Sequence, residues 1–154
     1  MLSFRYATLE DLQQYFKWAN DELVRKNSFN SSEISYHDHV TWFSSKVKHD
    51  NYCFYIFFDE QKNAVGQVRI EKKETHSIIG ISIDAEHRGK SYGEFMLNAA
   101  VSDYLYNHAG LDIIAYIKTE NAASIKTFTK AGFKYLDKTE VNGIESIRMI
   151  KKQV

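Results

Sequence analysis

The sequence predicts a protein of α+β or α/β class, one mixed β-sheet flanked by helices. Three observations predict it. Strand-like apolar runs follow one another in the middle of the chain, helical spacing lies on both sides of them, and a hairpin signal closes the order. Of the 154 residues, 44% are hydrophobic and 14% aromatic, enough to bury a core within a single domain over 1–154. No G-x-G-x-x-G follows the first strand and no G-x-x-x-x-G-K-[ST] occurs, which argues against doubly wound dinucleotide and P-loop folds.

Taken in order, "SFRYA" forms a first strand. Thr8 then opens a helix over "TLEDLQQYFKWAN", with Asp11 three residues on as in a capping box and Leu9, Leu12, Phe16 and Ala19 at helical spacing. "DELVRKNSFNSSEI" reads as an irregular polar segment. A second helix starts at Ser35, with Asp38 in its first turn and Val40, Phe43 and Val47 on one face. "YCFYIFF", "AVGQVRIEK" and "HSIIGISID" are three successive strands, the first two joined by a turn through Asp59–Asn63. A helix from Tyr92 to His108 ends at Gly110, "DIIAYIK" is a buried strand, and "NAASIKTFTKAG" is a short helix stopped by Gly132. Asn142-Gly143 marks the two-residue turn of a final hairpin.

Composition excludes several function classes. Twenty acidic and twenty basic side chains cancel, and no basic stripe is interleaved with aromatics, so neither nucleic acid nor an acidic membrane is an expected partner. The single Cys53 rules out an intramolecular disulfide framework and a multi-cysteine zinc site, and reads as a strand thiol. "HDH" at 37–39 puts two histidines at i and i+2, which face different ways on a helix; no metal is expected. The N-terminus lacks the apolar run of a signal peptide and no segment reaches ~18 apolar residues, so the expected location is cytoplasmic.

The chemistry is concentrated in "DAEHRGKSYGEF". Glycines at 89 and 93 allow close approach of backbone to a ligand, and Arg88 and Lys90 add positive charge. A helix starting near Ser91 would aim unpaired amides and its dipole at an anion. Ser91 with Glu94 three residues on is also a formal capping box, a purely structural way to start a helix. By itself the stretch supports both readings.

"NAASIKTFTKAGF", downstream, tips the balance. The loop Arg88-Gly89-Lys90-Ser91-Tyr92-Gly93, followed by Asn121, Phe128, Gly132 and Phe133, resembles the GNAT superfamily of acetyl-CoA-dependent N-acyltransferases. The resemblance spans essentially the whole chain. It implies a mostly antiparallel twisted sheet with a splayed central strand pair, and acetyl-CoA as cosubstrate. Backbone groups of Ile81, Ser82 and Ile83 would pair with the pantetheine arm. Amides of Arg88, Gly89, Lys90, Ser91, Tyr92 and Gly93 would cradle the pyrophosphate. Asn121 and Ser124 would contact the arm, with Phe128 beside the thioester. Two residues depart from the family pattern: Ser91 replaces a loop glycine, where it can take helical angles, and Phe128 replaces a tyrosine that protonates the leaving thiolate. That role is vacant, or is filled by water or by a tyrosine such as Tyr135.

The implied reaction is attack of a primary amine on the thioester, with the Ile83 amide as oxyanion donor. Glu71 and Glu74 are the candidate bases, followed by His76 and Asp84. The acceptor site is expected in the N-terminal half, where Trp18, Arg25, Phe29, His39 and Trp42 cluster in sequence; cation and ring together suit a phosphorylated, base-bearing acceptor. "W-x-N-D-x-x-x-R-x-x-S-F", "H-x-x-W-F" and "G-Q-V-R" resemble members that acetylate nucleotide-linked amino sugars, closest to UDP-4-amino-4,6-dideoxy-sugar enzymes of pseudaminic-acid-type synthesis. Carried over, Arg25 and His39 bind phosphate or sugar, Phe29 and Trp42 shape the pocket, and Gln67 and Arg69 line its floor. The alternatives are acetylation of ribosomal-protein N-termini, of polyamines or of aminoglycosides, or a catalytically silent acyl-CoA-binding module. A homodimer is compatible with all of these.

Overall fold

The structure, a computed structural model, describes residues 1–108 and 110–152. The first strand, β1, is Ser3–Tyr6. Thr8 then caps a 3-10 turn, Leu9–Asp11: its side chain accepts from the Glu10 amide while the Asp11 carboxylate accepts from the Thr8 amide at 2.8 Å. The α-helix proper, α1, is Leu12–Ala19 and buries Tyr15 and Trp18. Leu9 stays 42% exposed. The expected stripe through Leu9 and Phe16 is therefore rotated, because the 3-10 turn advances ~120° per residue and offsets a periodicity counted from Leu9.

The polar segment expected to be irregular contains a helix, α2, Glu22–Asn27. It has too few apolar residues to show a helical period, yet Asp21 caps it by accepting from the Leu23 and Val24 amides. Helix α3, Tyr36–Lys46, starts as expected, the Ser35 hydroxyl accepting from the Asp38 amide, and turns His39 and Phe43 inward. Then come β2 (Tyr52–Phe58), β3 (Ala64–Lys72), β4 (His76–Ile83), α4 (Tyr92–Asn107), β5 (Asp112–Lys118) and α5 (Ala122–Lys130). The hairpin β6 (Lys134–Val141) and β7 (Ile144–Lys151) turns through Asn142 and Gly143 at φ 51° and 77°, the positive pair that a two-residue hairpin needs.

The seven strands form one sheet in the order β1-β2-β3-β4-β5-β7-β6. Every neighbouring pair is antiparallel except β4 and β5. Alternation along the strands divides the core between the two faces. Tyr55, Phe57, Val68 and Ile70 pack under α4 and α5 with Met96, Leu97 and Phe128. Phe54 and Ile56 point the other way, against Tyr15, Trp18 and Phe43 of α1 and α3. Phe43 and Phe57 are fully buried, each burial stabilising by roughly 1.5–3 kcal/mol.

One feature of the sheet positions the site. The parallel pairing of β4 with β5 covers only His76–Ile78 against Asp112–Ile114. Beyond Ile78 the two strands diverge while β4 stays paired to β3 as far as Ile83. The result is a wedge-shaped opening in the middle of the sheet.

Candidate active site

The opening is lined by strand backbone. The Asp84 amide donates to the Val65 carbonyl at 2.8 Å, so strand alternation turns the N–H and C=O groups of Ser82 and Gly80 toward β3. Those of Ile81 and Ile83 face the wedge, where no strand pairs with them. An extended amide-bearing chain can hydrogen-bond there as a surrogate strand.

The loop after β4 lies at the mouth of the wedge. Asp84 caps a 3-10 turn, Ala85–His87; Gly89 follows at φ 76°, then Ser91 at φ 62°, ψ 25°. Ser91 is left-handed and its side chain makes no cap bond, so neither the helical angles nor the capping box with Glu94 is realised. The loop turns through two left-handed residues instead, one of them where the family pattern has glycine. Such a turn leaves successive amides at the start of α4 aimed outward, an arrangement suited to an anion. Lys90 is exposed beside them. Gly93 is buried for a different reason: a Cβ there would stand 2.7 Å from Thr127 Cγ2 and 3.4 Å from Ile83 Cδ1. Its missing side chain lets α4 close onto α5 and β4.

Arg88 does not point at the loop amides. Its guanidinium donates to Asp21 at 2.6 Å, and Asp21 in turn caps α2, so the loop is tied to the N-terminal helices. Asp84, the fourth candidate base, is buried among donors: Trp18 Nε1 at 2.8 Å and His87 Nδ1 at 2.9 Å. Burial alone would raise its pKa, but these bonds hold the carboxyl below the usual range.

On the α5 side, Asn121 caps the helix, Oδ1 accepting from the Ser124 amide and Nδ2 donating to Ser124 Oγ. Phe128, 3% exposed, meets Phe133 edge-on with centroids 5.1 Å apart. Tyr135 lies 58% exposed on β6 and does not line the site. Tyr116 of β5 does. Its signal in the sequence was a lone polar-tipped ring in the apolar run "DIIAYIK".

Through the wedge the opening continues into a cavity of about 840 Å³ on the α1 and α3 face of the sheet. The structure brings together there Arg25, Phe29, His39, Trp42, Gln67 and Arg69 with Ile81, Ile83, Asn121, Ser124 and Phe128. It does not bring in Glu71 or Glu74. Glu71 bonds to Lys73 at 2.8 Å and Tyr52 at 2.9 Å, and Glu74 is exposed in the turn after β3.

Arg25 is occupied by its own chain. It donates to the carbonyls of Ala19, Asn30 and Ser32 and to Ser28 Oγ, at 2.6 to 3.3 Å, and so shapes the 28–34 loop that walls the cavity. His39 is 2% exposed and its Nε2 lies 3.1 Å from the Leu12 carbonyl. A carbonyl only accepts, so Nε2 carries the proton, and burial lowers the pKa; the ring is neutral with its lone pair on Nδ1. Arg69 lies over the Trp42 ring, 5.6 Å from its centroid, and against the backbone of Gly80. Gln67 Nε2 donates to Ser82 Oγ at 3.0 Å while its Oε1 is buried without a partner.

Among the described residues no group of three or more His, Cys, Asp or Glu is arranged to hold a metal ion. No described helix is long and apolar enough to cross a membrane.

A family model described as the acetyltransferase (GNAT) domain matches residues 2–134. No curated protein matches the sequence. Among solved structures, the spermidine N-acetyltransferase from Vibrio cholerae in complex with CoA and spermine is similar with a TM-score of 0.85 at 21% identity, over 99% of this chain and 95% of that one. Aminoglycoside acetyltransferase AAC(6')-Ib in complex with coenzyme A and kanamycin gives 0.82 at 18%, over 99% and 95%. A domain from Methanocaldococcus jannaschii gives 0.81 at 24%, over 98% and 99%. At these identities the likeness speaks for the fold. With the wedge, the left-handed loop and the family match over 2–134, the chain belongs to the GNAT acetyltransferase family and is an acetyl-CoA-dependent N-acetyltransferase.

Proposed function

We propose that this single-domain enzyme acetylates a primary amine that also carries an anionic group, and that a nucleotide-linked amino sugar is such an acceptor. The observation that carries the reading is the charge at the cavity floor. Arg69 lines it without a side-chain hydrogen bond or ion pair among the described residues, its guanidinium lying over the Trp42 ring. A half-buried cation without a counter-charge is partly desolvated, and an anionic ligand offsets that cost. Trp42 offers a ring beside it, and Phe29 another in the same cavity, for a base or sugar.

Acetyl-CoA would be held by the wedge-facing groups of Ile81 and Ile83 and by the amides of the 88–93 loop, and it supplies the activated acetyl group. The neutral amine enters from the α1 and α3 face. Its lone pair forms the new C–N bond, the C–S bond breaks, the nitrogen loses one proton and the thiolate gains one. The Ile83 amide stands ready for the developing oxyanion. His39, neutral and holding its lone pair on Nδ1, suits removal of the amine's proton better than phosphate binding. Phe128 has no proton to give; a free thiol has a pKa of about 8.5, so the thiolate leaves without a dedicated acid.

A second reading has its own observation. Glu33 and Asp38 also line the cavity, and carboxylates favour a cationic acceptor such as a polyamine or an aminoglycoside. Thiol release from acetyl-CoA with UDP-linked 4-amino-4,6-dideoxy sugar, spermidine, kanamycin and an N-terminal peptide separates the two. The proposal expects the highest kcat/KM with the UDP-linked sugar. Faster turnover of spermidine or kanamycin overturns it in favour of the second reading. Tight acetyl-CoA binding with no thiol release from any amine would make the chain a binding module.

A further inference from the structure

Among the described residues, two polar groups in the cavity floor are left with unused hydrogen-bonding capacity, and they sit side by side. Gln67 and Arg69 are i and i+2 on β3, so their side chains share one face and their Cα atoms are about 6.5–7 Å apart. The residues opposite them across both strand pairs share that face: Ile56 and Phe54 on β2, Ser82 and Gly80 on β4. Gly80 matters because its lack of a side chain lets the Arg69 guanidinium lie along β4, where a Cβ would come within 3.3 Å of Nη2. Trp42 covers the cation from the other side.

Gln67 is 3% exposed. Its amide is oriented by the bond from Nε2 to Ser82 Oγ, and this leaves Oε1 as a buried acceptor with nothing donating to it. Such an atom carries a desolvation cost that folding alone does not recover. Arg69 is the complementary case: five N–H donors in a rigid fork, held by a ring face and no anion. The carboxylates that line the cavity, Glu33 and Asp38, form no ion pair with it.

We propose that Gln67 and Arg69 form a two-point anchor for the acceptor, Gln67 Oε1 accepting from the N–H of the attacking amine and Arg69 binding an anionic substituent a ring's width away. The acceptor class is then an amine with a phosphate or carboxylate at fixed separation, as between the 4-amino group and the 1-phosphate of an amino sugar. The anchor rests on the acetyltransferase reading and is independent of the nucleotide. It orients the amine over β4 next to Ile81 and Ile83, so Gln67 is a positioning residue and Arg69 sets specificity.

The test uses matched acceptors with the full-length enzyme. The 4-amino-4,6-dideoxy sugar is supplied as its UDP adduct, its 1-phosphate and its uncharged methyl glycoside, and an amino acid is compared with its amide. The anchor predicts that wild type prefers the anionic member of each pair by at least about tenfold in kcat/KM, since a hydrogen-bonded charge pair is worth a factor of about ten or more. Arg69→Met should abolish that preference by raising KM for the anionic member alone, and Arg69→Lys should restore part of it. Gln67→Met should lower kcat for both members about tenfold and leave acetyl-CoA affinity unchanged, while the melting temperature holds or rises because a buried unsatisfied acceptor is removed. Equal losses for both members in Arg69→Met, or a preference that survives it, overturn the anchor. Failure of the UDP sugar while an Arg69-dependent preference persists in the amino-acid pair refutes the nucleotide-sugar reading and leaves the anchor standing. No turnover of any member overturns both.

Discussion

Ser91 carries the departure from the family loop, and its backbone explains how the loop tolerates it. At φ 62° an L-residue is strained by roughly 1–2 kcal/mol relative to its right-handed state, a cost that glycine escapes. Ser91→Gly should therefore raise stability, by up to about 1 kcal/mol after the entropy that glycine gives back, and keep acetyl-CoA affinity. Ser91→Val should lower both, as read by thermal melting and calorimetric titration. His39 makes a prediction about pH. Burial pushes its pKa below the ordinary value of about 6.5, so the base stays unprotonated to lower pH. The kcat/KM profile should stay level through about pH 6.5, the ordinary imidazole value, and fall only at more acidic pH, and His39→Gln should remove that limb with a loss of ~100-fold or more in kcat. The residue types at these positions were legible in the sequence. Their states were not: nothing local in "RGKSYG" distinguishes a helical serine from a left-handed one, and Arg25 reads as a phosphate ligand until its N–H groups are found donating to the carbonyls of Ala19, Asn30 and Ser32.

At the scale of elements, the start of α4 is set by its packing as much as by its loop. Gly93→Val would drive a side chain into Thr127 and Ile83. Such overpacking costs about 1–3 kcal/mol. Because α4 would move away from β4, acetyl-CoA affinity should fall about tenfold or more, whereas Gly89→Ala meets no neighbour and acts only through its positive φ. Titration calorimetry on both variants checks the order. Arg88 and Asp21 join two elements that the sequence keeps 67 residues apart. That pair also shows why α2 went unread: its determinants are an Asx cap at Asp21 and a long-range ion pair, neither of which leaves a hydrophobic period. The strands, α3 and α5 were legible because cap and apolar face agreed, as at Ser35 with Phe43 and at Asn121 with Phe128.

At the scale of the molecule, two half-cores on opposite faces of one sheet meet at the wedge, and Asp84 fastens them there. Its carboxylate joins Trp18 of α1 to the 3-10 turn that leads into the 88–93 loop. The folded pKa is depressed, so the stabilisation is fully present above the unfolded value of about 3.9 and is lost as pH falls through the folded value. Urea unfolding should show a falling midpoint between about pH 5 and pH 3. Asp84→Asn should flatten part of that fall and cost about 1–3 kcal/mol at pH 7. The order of elements was legible in the chain; the wedge was implied only by the family resemblance, since divergence of β4 from β5 depends on how distant strands pair.

In the proposed reaction an acetyl group passes across this wedge to an amine held on the α1 and α3 face. A single-turnover reaction with carbonyl-labelled acetyl-CoA and the UDP-linked amino sugar, followed by mass spectrometry of protein and acceptor, tests it most directly. One labelled acetyl group on the acceptor nitrogen per thiol released, with none on the protein, is the expected result. Thiol release with an unmodified acceptor, or label retained on the protein, would contradict it.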